Sequence, residues 1–284
     1  MLEFRTAPVR FTDRLRPGGL RPDRAPRCPA DSLGGLCVLV TDACSDVGRA
    51  TATRLAMRGA RLVLVARRSD QLVGVCEEIT ATGGLARWHR CDLSALGDID
   101  QLVDWVRGEF GAVDVLVNNA TRPQRRPVTQ SLDRFRDYQR TMAANYFGPL
   151  RLTLGLLPAM LQSGSGHVIN VGPLHPNAAA TPYFASYASS VAAWTTFGQC
   201  ADAELAPHGI QVSAVRYPVT GTDTDEAAAD FAVTAAESAR TIENTIRERY
   251  DTPRSRRPAL TRALRGLADA APRSTQRLID AFGR

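Results

Sequence analysis

Six short apolar runs, separated by stretches with helical spacing, constrain the fold of this chain more than any other feature. The apolar runs lie at Cys37–Thr41, Arg61–Ala66, Leu85–Cys91, Val113–Val117, His167–Val171 and Ile210–Val215. Helical patterns fill the intervals, at 46–58, 70–82, 98–109, 131–162 and 186–206. Strands that alternate with helices form right-handed βαβ units, which need a parallel sheet covered on both faces. The sequence therefore predicts an α/β fold, a doubly wound parallel sheet in a single domain, with ligands beyond the carboxyl ends of the strands.

The two ends of the chain differ from this body in composition. Residues 1–32 are rich in Pro and Arg without a regular period, which predicts a disordered N-terminal extension before a folded domain at 33–250. Residues 251–284 form an Arg-rich C-terminal extension with leucines at helical spacing. An amphipathic helix of this kind docks onto its own domain or makes a peripheral contact with an anionic membrane, and the sequence leaves both open.

Positive charge is concentrated in those ends. The formal charge of the whole chain is +6, yet residues 31–246 hold four more acids than arginines. A mildly acidic body argues against binding to nucleic acid. No apolar run reaches the ~20 residues that span a bilayer, and the N-terminus has no apolar signal-peptide core, so we expect a cytoplasmic protein.

The cysteines give no sign of a metal site. All six stand outside any CxxC pair, and the chain has no HExxH motif. Cys37 and Cys91 lie inside strand-like runs. We therefore predict buried, reduced thiols, as in a cytosolic protein, and no bound metal.

Several segments at the strand ends resemble the short-chain dehydrogenase/reductase family. The segments that carry the resemblance are Val40–Ala50 (VTDACSDVGRA), Cys91–Ser94 (CDLS), Leu116–Ala120 (LVNNA) and Glu204–Val212 (ELAPHGIQV), together with Asn145 and Tyr187. The resemblance implies a Rossmann-like fold, oxidoreductase activity on a carbonyl or alcohol, and a homo-oligomer that pairs through the helices at 133–162 and 186–206. The carboxyl-terminal third of the chain is similar to reductases that act on long acyl or lipid carbonyls.

The resemblance also implies a dinucleotide site built from residues that follow the strands. The residues that match the family's binding positions are Thr41, Gly48, Asp92, Asn118 and Ala120. The second strand ends in Arg67 and Arg68 where an acid would select NAD. Because arginine pairs well with a 2′-phosphate, this end favours NADP(H) as the cofactor.

Two aspartates depart from the family's phosphate-binding turn. Asp42 and Asp46 stand where relatives have glycine. Two unit charges ~5 Å apart repel by about 3 kcal/mol at an effective dielectric near 20. A repulsion of that size weakens binding about a hundredfold. The sequence therefore predicts that any dinucleotide binds weakly.

The reaction centre is also incomplete relative to the family's Asn, Ser, Tyr and Lys. Asn145 and Tyr187 match, whereas the serine position falls on Pro173 and the lysine position on Val191. In relatives the lysine ammonium lowers the pKa of the tyrosine and binds the nicotinamide ribose. The chain contains no lysine anywhere, so all 35 of its basic residues other than histidine are arginine. We therefore expect no ammonium to support Tyr187.

Two interpretations of the function follow from these departures. The first is a catalytically impaired or inactive relative, a pseudoenzyme that serves as a partner subunit or ligand-binding scaffold, and the missing groups favour it. The second is a functional NADP(H)-dependent reductase of a small-molecule or lipid carbonyl with a rerouted mechanism. In that case His175, Ser186 or Ser189 would replace the missing donor.

Overall fold

The computed structural model describes residues 33–174, 182–218 and 234–251, and these form one six-stranded parallel sheet. The strands are β1 (Cys37–Thr41), β2 (Arg61–Ala66), β3 (Leu85–Arg90), β4 (Val115–Asn118), β5 (Gly166–Leu174) and β6 (Ile210–Pro218). Their order across the sheet is β3-β2-β1-β4-β5-β6, and every neighbouring pair is parallel. The chain reverses direction across the sheet between β1 and β4, which is where such sheets bind ligands. The predicted fold class is confirmed.

Helices cover both faces of the sheet. They are α1 (Asp46–Met57), α2 (Ser69–Ala81), α3 (Leu96–Phe110), α4 (Phe135–Met142), α5 (Gly148–Ser163), α6 (Ala185–Leu205) and α7 (Ala235–Asp251). One core layer packs Val38, Val40 and Leu64 against α1, α2 and α7, and the other packs Leu39 and Val63 against α3 and α5. Adjacent residues of one strand thus point to opposite layers, which explains why β1, β2 and β4 are almost entirely apolar.

The helical pattern predicted at 131–162 is divided in the structure. A π-helical turn at Ala143–Phe147 separates α4 from α5. Pro149 in the first turn of α5 has no backbone N–H to donate. A Cβ added at Gly148 would lie 1.9 Å from the carbonyl oxygen of Leu93. The glycine therefore lets α5 begin in close contact with the loop that follows β3, a constraint that helical periodicity does not reveal.

Other element boundaries differ from the sequence predictions for local reasons. The fourth strand begins at Val115, because the carboxylate of Asp114 turns back to accept the backbone N–H of Cys37 at 2.7 Å. The third strand is an edge strand with Trp88 partly exposed, and is not covered on both faces as a buried parallel strand would be. The extensions at 1–32 and 252–284 lie outside the described residues. Within the described part, no helix is long and apolar enough to cross a membrane.

The described thiols divide into three groups. Cys37 and Cys91 are buried, as predicted, and burial is the main cause that raises their pKa values, to about 11 and about 12. Cys44 and Cys76 are only partly buried, and Cys200 on α6 is exposed, so the prediction of burial is wrong for Cys200. Cys28 lies outside the described residues. Across the described part, no cluster of His, Cys, Asp or Glu is arranged to hold a metal ion.

A buried carboxylate fastens α7 to α1. Glu243 is fully buried and makes ion pairs with Arg54 and with Arg58, whose Nε lies 2.9 Å from its Oε1. Arg247 lies one helical turn further along α7, with its Nη1 4.0 Å from the same oxygen. A buried charge is tolerated only when it is paired, so these guanidiniums fix how α7 packs on α1. The helix α7 begins after Thr234, where Thr234 and Glu237 exchange the hydrogen bonds of a capping box.

We predict that Glu243→Ala lowers the free energy of unfolding by about 2–3 kcal/mol, because it removes the buried carboxylate that the partly buried guanidiniums of Arg54 and Arg58 share. The loss stays at the low end because Arg54 and Arg58 are each about a third exposed and can turn towards water. Urea unfolding followed by circular dichroism measures the change. Glu248→Ala on the exposed side of the same helix is the control and should change stability by less than about 0.5 kcal/mol. Equal effects of the two substitutions would contradict the role given to Glu243.

Candidate functional site

A pocket opens at the carboxyl ends of the central strands, at the switch point between β1 and β4. The residues that line it are Asp42, Val65, Ala66, Arg67, Cys91, Asp92, Leu93, Ser94, Ala120, Thr121, Arg122, Ala144 and Asn145. Of the residues predicted from the sequence, Arg67, Asp92, Ala120 and Asn145 meet here, together with Asp42. Thr41, Gly48, Arg68, Asn118 and Tyr187 lie outside this lining.

Thr41 ties the two strands at the switch point together. Its Oγ1 accepts the backbone N–H groups of Asn119 at 2.9 Å and Ala120 at 3.2 Å, and donates to the carbonyl oxygen of Val117 at 3.3 Å. The hydroxyl is fully buried, so all of these bonds are made away from water. Thr41 therefore shapes the pocket wall from behind.

The turn from β1 into α1 folds around an aspartate in a glycine conformation. Asp42 has φ +50°, in the left-handed region that favours glycine and that Asp tolerates. Ser45 holds the turn by donating to the Asp42 carbonyl oxygen at 2.8 Å and accepting the N–H of Gly48 at 3.2 Å. A Cβ at Gly48 would lie 2.2 Å from that carbonyl oxygen, so only glycine lets α1 approach so closely. The turn keeps its shape although its first glycine has been replaced.

The two aspartates of this turn have different surroundings. Asp42 lines the pocket, and burial raises its pKa, while the charge of Arg67 and the hydrogen bond with Ser45 act in the opposite direction. Asp46 is exposed in the first turn of α1, where a negative charge interacts favourably with the helix dipole. Of the two carboxylates expected to oppose a bound anion, Asp42 therefore lines the pocket, whereas Asp46 lies outside its lining.

The two arginines after β2 also have different surroundings. Arg67 lines the pocket, and its positive charge lowers the pKa values of Asp42 and Asp92. Arg68 is fully exposed, and its Nη2 lies 2.6 Å from a carboxylate oxygen of Asp70. Arg67 thus lines the pocket together with Arg122, whereas Arg68 is engaged on the outer surface.

Asp92 is held in its ionised form at the pocket wall. Its Oδ1 accepts the backbone N–H of Ser94 at 2.9 Å and the Ser94 hydroxyl at 2.7 Å. Burial is the largest single cause and raises the pKa of Asp92. The two bonds from Ser94 and the charges of Arg67 and Arg122 together outweigh it, so the pKa lies below its usual value. The carboxylate therefore stays available as a hydrogen-bond acceptor.

Asn145 joins the pocket to the helix that carries Tyr187. Its Oδ1 accepts the N–H of Arg122 at 2.7 Å, and its Nδ2 donates to the Arg122 carbonyl oxygen at 3.1 Å and to Ser190 Oγ at 3.0 Å. Ser190 Oγ in turn donates to the carbonyl oxygen of Tyr187 at 2.7 Å. Asn145, Ser190 and Tyr187 are all buried. The carboxamide of Asn145 is therefore engaged by the protein and fixes α6 against the pocket rim.

Apolar groups occupy the two positions at which relatives carry polar catalytic residues. Val191 lies four residues after Tyr187 on α6 and thus on the same helix face. Pro173 lies near the carboxyl end of β5, where it pairs in register with Tyr217 of β6. Of the proposed substitutes, Ser189 is exposed and donates to Ala185 of its own helix at 2.7 Å, which removes it as a candidate. Ser186 is buried beside Tyr187, and His175 lies outside the described residues.

Two supporting side chains, Asn119 and Ser190, were not singled out from the sequence. Asn119 donates from Nδ2 to Ser45 Oγ at 3.1 Å, which links the turn to β4. Ser190 connects Asn145 with Tyr187. Asn118, predicted to face the cofactor, is buried and donates to Asn170 Oδ1 at 3.1 Å. The paired asparagines after β4 and the serine before α1 are visible in the sequence, but their partners are set by the tertiary fold.

The comparisons with known proteins agree with this geometry. A family model described as short chain dehydrogenase matches residues 36–232. A fatty acyl-CoA reductase of Mycobacterium tuberculosis is 36% identical over 279 residues, which cover 94% of each protein. A fatty acyl-CoA reductase of Acinetobacter baylyi is 40% identical over 192 residues, which cover 68% of this chain and 65% of that protein.

Solved structures give the same result at the level of the fold. A metagenomic short-chain oxidoreductase in complex with NADP is 29% identical and superposes with a TM-score of 0.67, covering 76% of this chain and 92% of that one. An actinorhodin polyketide ketoreductase with NADPH is 26% identical, with a TM-score of 0.67 and coverage of 77% and 92%. Both are similar to this chain across most of their length.

We predict that Asp42→Asn raises the free energy of unfolding at neutral pH by about 1 kcal/mol, because it removes a charge from a partly buried site and Asn tolerates the left-handed backbone. The raised pKa of Asp42 means that the folded state binds a proton more tightly than the unfolded state does. The wild-type protein therefore becomes more stable relative to the variant as the pH falls from that raised pKa to the ordinary pKa of aspartate, and the difference disappears below the ordinary value. Urea unfolding at several pH values measures this. Asp46→Asn is the control and should leave stability unchanged or slightly lower, and a variant Asp42→Asn less stable than wild type at neutral pH would contradict the prediction.

Proposed function

Because the chain belongs to the short-chain dehydrogenase/reductase family, we propose that it is an NADP(H)-dependent oxidoreductase that reduces an acyl or lipid carbonyl. The observation that carries the proposal is the pocket at the switch point, where Arg67, Asp92 and Asn145 meet beside the β1–α1 turn. The two relatives named fatty acyl-CoA reductase support the choice of an acyl carbonyl as substrate.

The residues of the pocket fit an NADP(H) molecule better than an NAD(H) molecule. The guanidinium of Arg67 suits the 2′-phosphate, since arginine presents several donors to phosphate oxygens. Ala66 ends β2 without a carboxylate that would accept from a ribose 2′-hydroxyl. Asp92 and the backbone at Ala120 would contact the adenosine of the cofactor. The carboxylate of Asp42 would repel the pyrophosphate of a bound cofactor, and the neighbouring positive charge of Arg67 would offset part of that repulsion.

Tyr187 is the group that we assign to proton transfer. The reduced nicotinamide, when bound, supplies the hydride, and the Tyr187 phenol donates a proton to the carbonyl oxygen of the substrate. Asn145 and Ser190 hold α6 in place for this step. Val191 brings no charge to the face of α6 that carries Tyr187. General acid catalysis contributes ~10²–10⁴ in rate, so a valine in place of the family's lysine predicts slow turnover.

We predict that Arg67→Gln weakens NADPH binding by about 10- to 100-fold, which is the value of a charge-assisted hydrogen bond to phosphate. NADH binding should change little, because NADH has no 2′-phosphate. Quenching of tryptophan fluorescence or a thermal shift measures both affinities. Arg68→Gln is the matched control and should have a small effect, since Arg68 is paired with Asp70 on the surface. Equal losses of affinity for NADPH and NADH would argue against a 2′-phosphate contact.

We predict that Tyr187→Phe lowers kcat for NADPH-dependent reduction of long-chain acyl-CoA or fatty aldehyde by at least about 10². Consumption of NADPH at 340 nm measures turnover, and unchanged NADPH affinity of the variant shows that the pocket is intact. Turnover that is insensitive to this substitution would exclude Tyr187 as the proton donor.

A non-catalytic scaffold is the second candidate function, and the apolar residues at 173 and 191 favour it. This function requires that NADPH or an acyl ligand binds while the wild-type protein turns over no carbonyl substrate. The double substitution Val191→Lys with Pro173→Ser restores the family's donor and ammonium, so a gain of turnover in that variant alone would assign the wild-type protein to this class.

Association of identical subunits is part of the proposal. Phe147, Leu154 and Leu161 are exposed and recur at seven-residue spacing in and next to α5, so they form one apolar stripe. Such a stripe supports pairing through α5 and α6, as the resemblance implies.

The folded domain that we propose extends over 33–250.

A further inference from the structure

A group of exposed apolar side chains lies beside the pocket, in the segment 121–142. Leu132 is 85% exposed, Phe135 71% and Val128 56%. They occupy a 3₁₀ turn at Val128–Gln130, the loop after it and the first residue of α4. We refer to the segment 121–142 as the basic apolar patch.

The basic apolar patch is also strongly charged. It contains six arginines and two aspartates, which gives a formal charge of +4. The other described residues contain 14 arginines and 17 acids, a charge of −3. Both aspartates of the patch are already paired with its own arginines, Asp133 with Arg134 and Asp137 with Arg126 and Arg140. The positive charge of the described surface is therefore concentrated around the exposed apolar groups.

The backbone of the basic apolar patch is held firmly in place. The N–H of Arg126 donates to the carbonyl oxygen of Tyr183 at 2.6 Å, and the guanidinium of Arg125 lies 5.0 Å from the centre of the Tyr183 ring. Thr141 Oγ1 donates to Gln124 Oε1 at 2.7 Å. Because the segment is tied down at several points, the folded domain itself presents Leu132 and Phe135 to the outside.

We infer that the basic apolar patch docks onto an anionic lipid surface. Exposed aliphatic and aromatic side chains enter the boundary between headgroups and acyl chains, while arginines pair with lipid phosphates. A soluble phosphate ligand would use the arginines and leave the apolar side chains without a role. A second copy of the chain would bring two patches of charge +4 together across a two-fold axis, which is unfavourable.

The basic apolar patch adjoins the pocket along the chain, because Thr121 and Arg122 line the pocket and also begin the patch. The inference goes beyond the proposed function and does not depend on it, because vesicle binding is measured without cofactor or substrate.

Co-sedimentation of the full chain with vesicles tests the inference. Vesicles of equal parts phosphatidylcholine and phosphatidylglycerol should bind the wild-type protein, and vesicles of phosphatidylcholine alone should bind it much less. The double substitution Leu132→Ser with Phe135→Ser should weaken binding to the mixed vesicles by at least about tenfold. The matched control is Met57→Ser with Leu85→Ser, two exposed apolar residues at the other edge of the sheet, and it should bind as wild type does.

Three outcomes would overturn the inference. The first is wild-type protein that ignores mixed vesicles. The second is a Leu132→Ser, Phe135→Ser variant that binds as tightly as wild type, which would assign membrane binding to the basic ends of the chain. The third is a variant that binds vesicles normally but changes its oligomeric state in light scattering, which would make the patch a subunit interface. Inhibition of vesicle binding by free glycerol phosphate at millimolar concentration would point instead to a site for a soluble anion.

Discussion

The hydroxyl of Thr41 is the interaction on which the pocket depends. β1 and β4 are neighbours in the sheet, but β2 and β3 lie between them in sequence. The chain continues from β1 towards one edge of the sheet and from β4 towards the other edge. A single buried oxygen accepts two N–H groups from the end of β4 and donates to its carbonyl oxygen. Because these groups have no access to water, losing the hydroxyl would leave backbone donors unpaired. The position of Ala120 at the pocket wall follows from this one contact.

Electrostatics then decides what the pocket can hold. Asp42 and Asp92 face it from one side and Arg67 and Arg122 from the other. The carboxylates do not act alike, since burial raises the pKa of Asp42, whereas the bonds from Ser94 and the nearby arginines hold that of Asp92 down. A bound phosphate would raise the pKa of Asp42 further. The cost of placing an anion beside Asp42 is therefore smaller than the repulsion of two fixed charges.

Much of the fold can be predicted from the sequence, because its signals are local. The apolar runs predict six strands, and β1 and β2 have the bounds that the runs indicate. The π turn before α5 cannot be predicted in this way, since it depends on the contact between Gly148 and the loop after β3. The site follows the same rule. Residue types and spacing indicate Tyr187 and Asn145, but the separation of Arg67 from Arg68 depends on an ion pair with Asp70 that the residue types alone do not determine.

The lack of lysine affects the two directions of carbonyl chemistry differently. Reduction needs a protonated phenol that can donate, and oxidation of an alcohol needs a phenolate that can accept. A neighbouring cation stabilises the phenolate, so its absence makes the phenol a weaker donor in reduction and leaves less phenolate for oxidation. Arginine is no simple replacement, because its planar guanidinium is larger than an ammonium and needs different geometry. Because both directions pass through the same transition state, Val191 at this position slows proton transfer in reduction and oxidation alike.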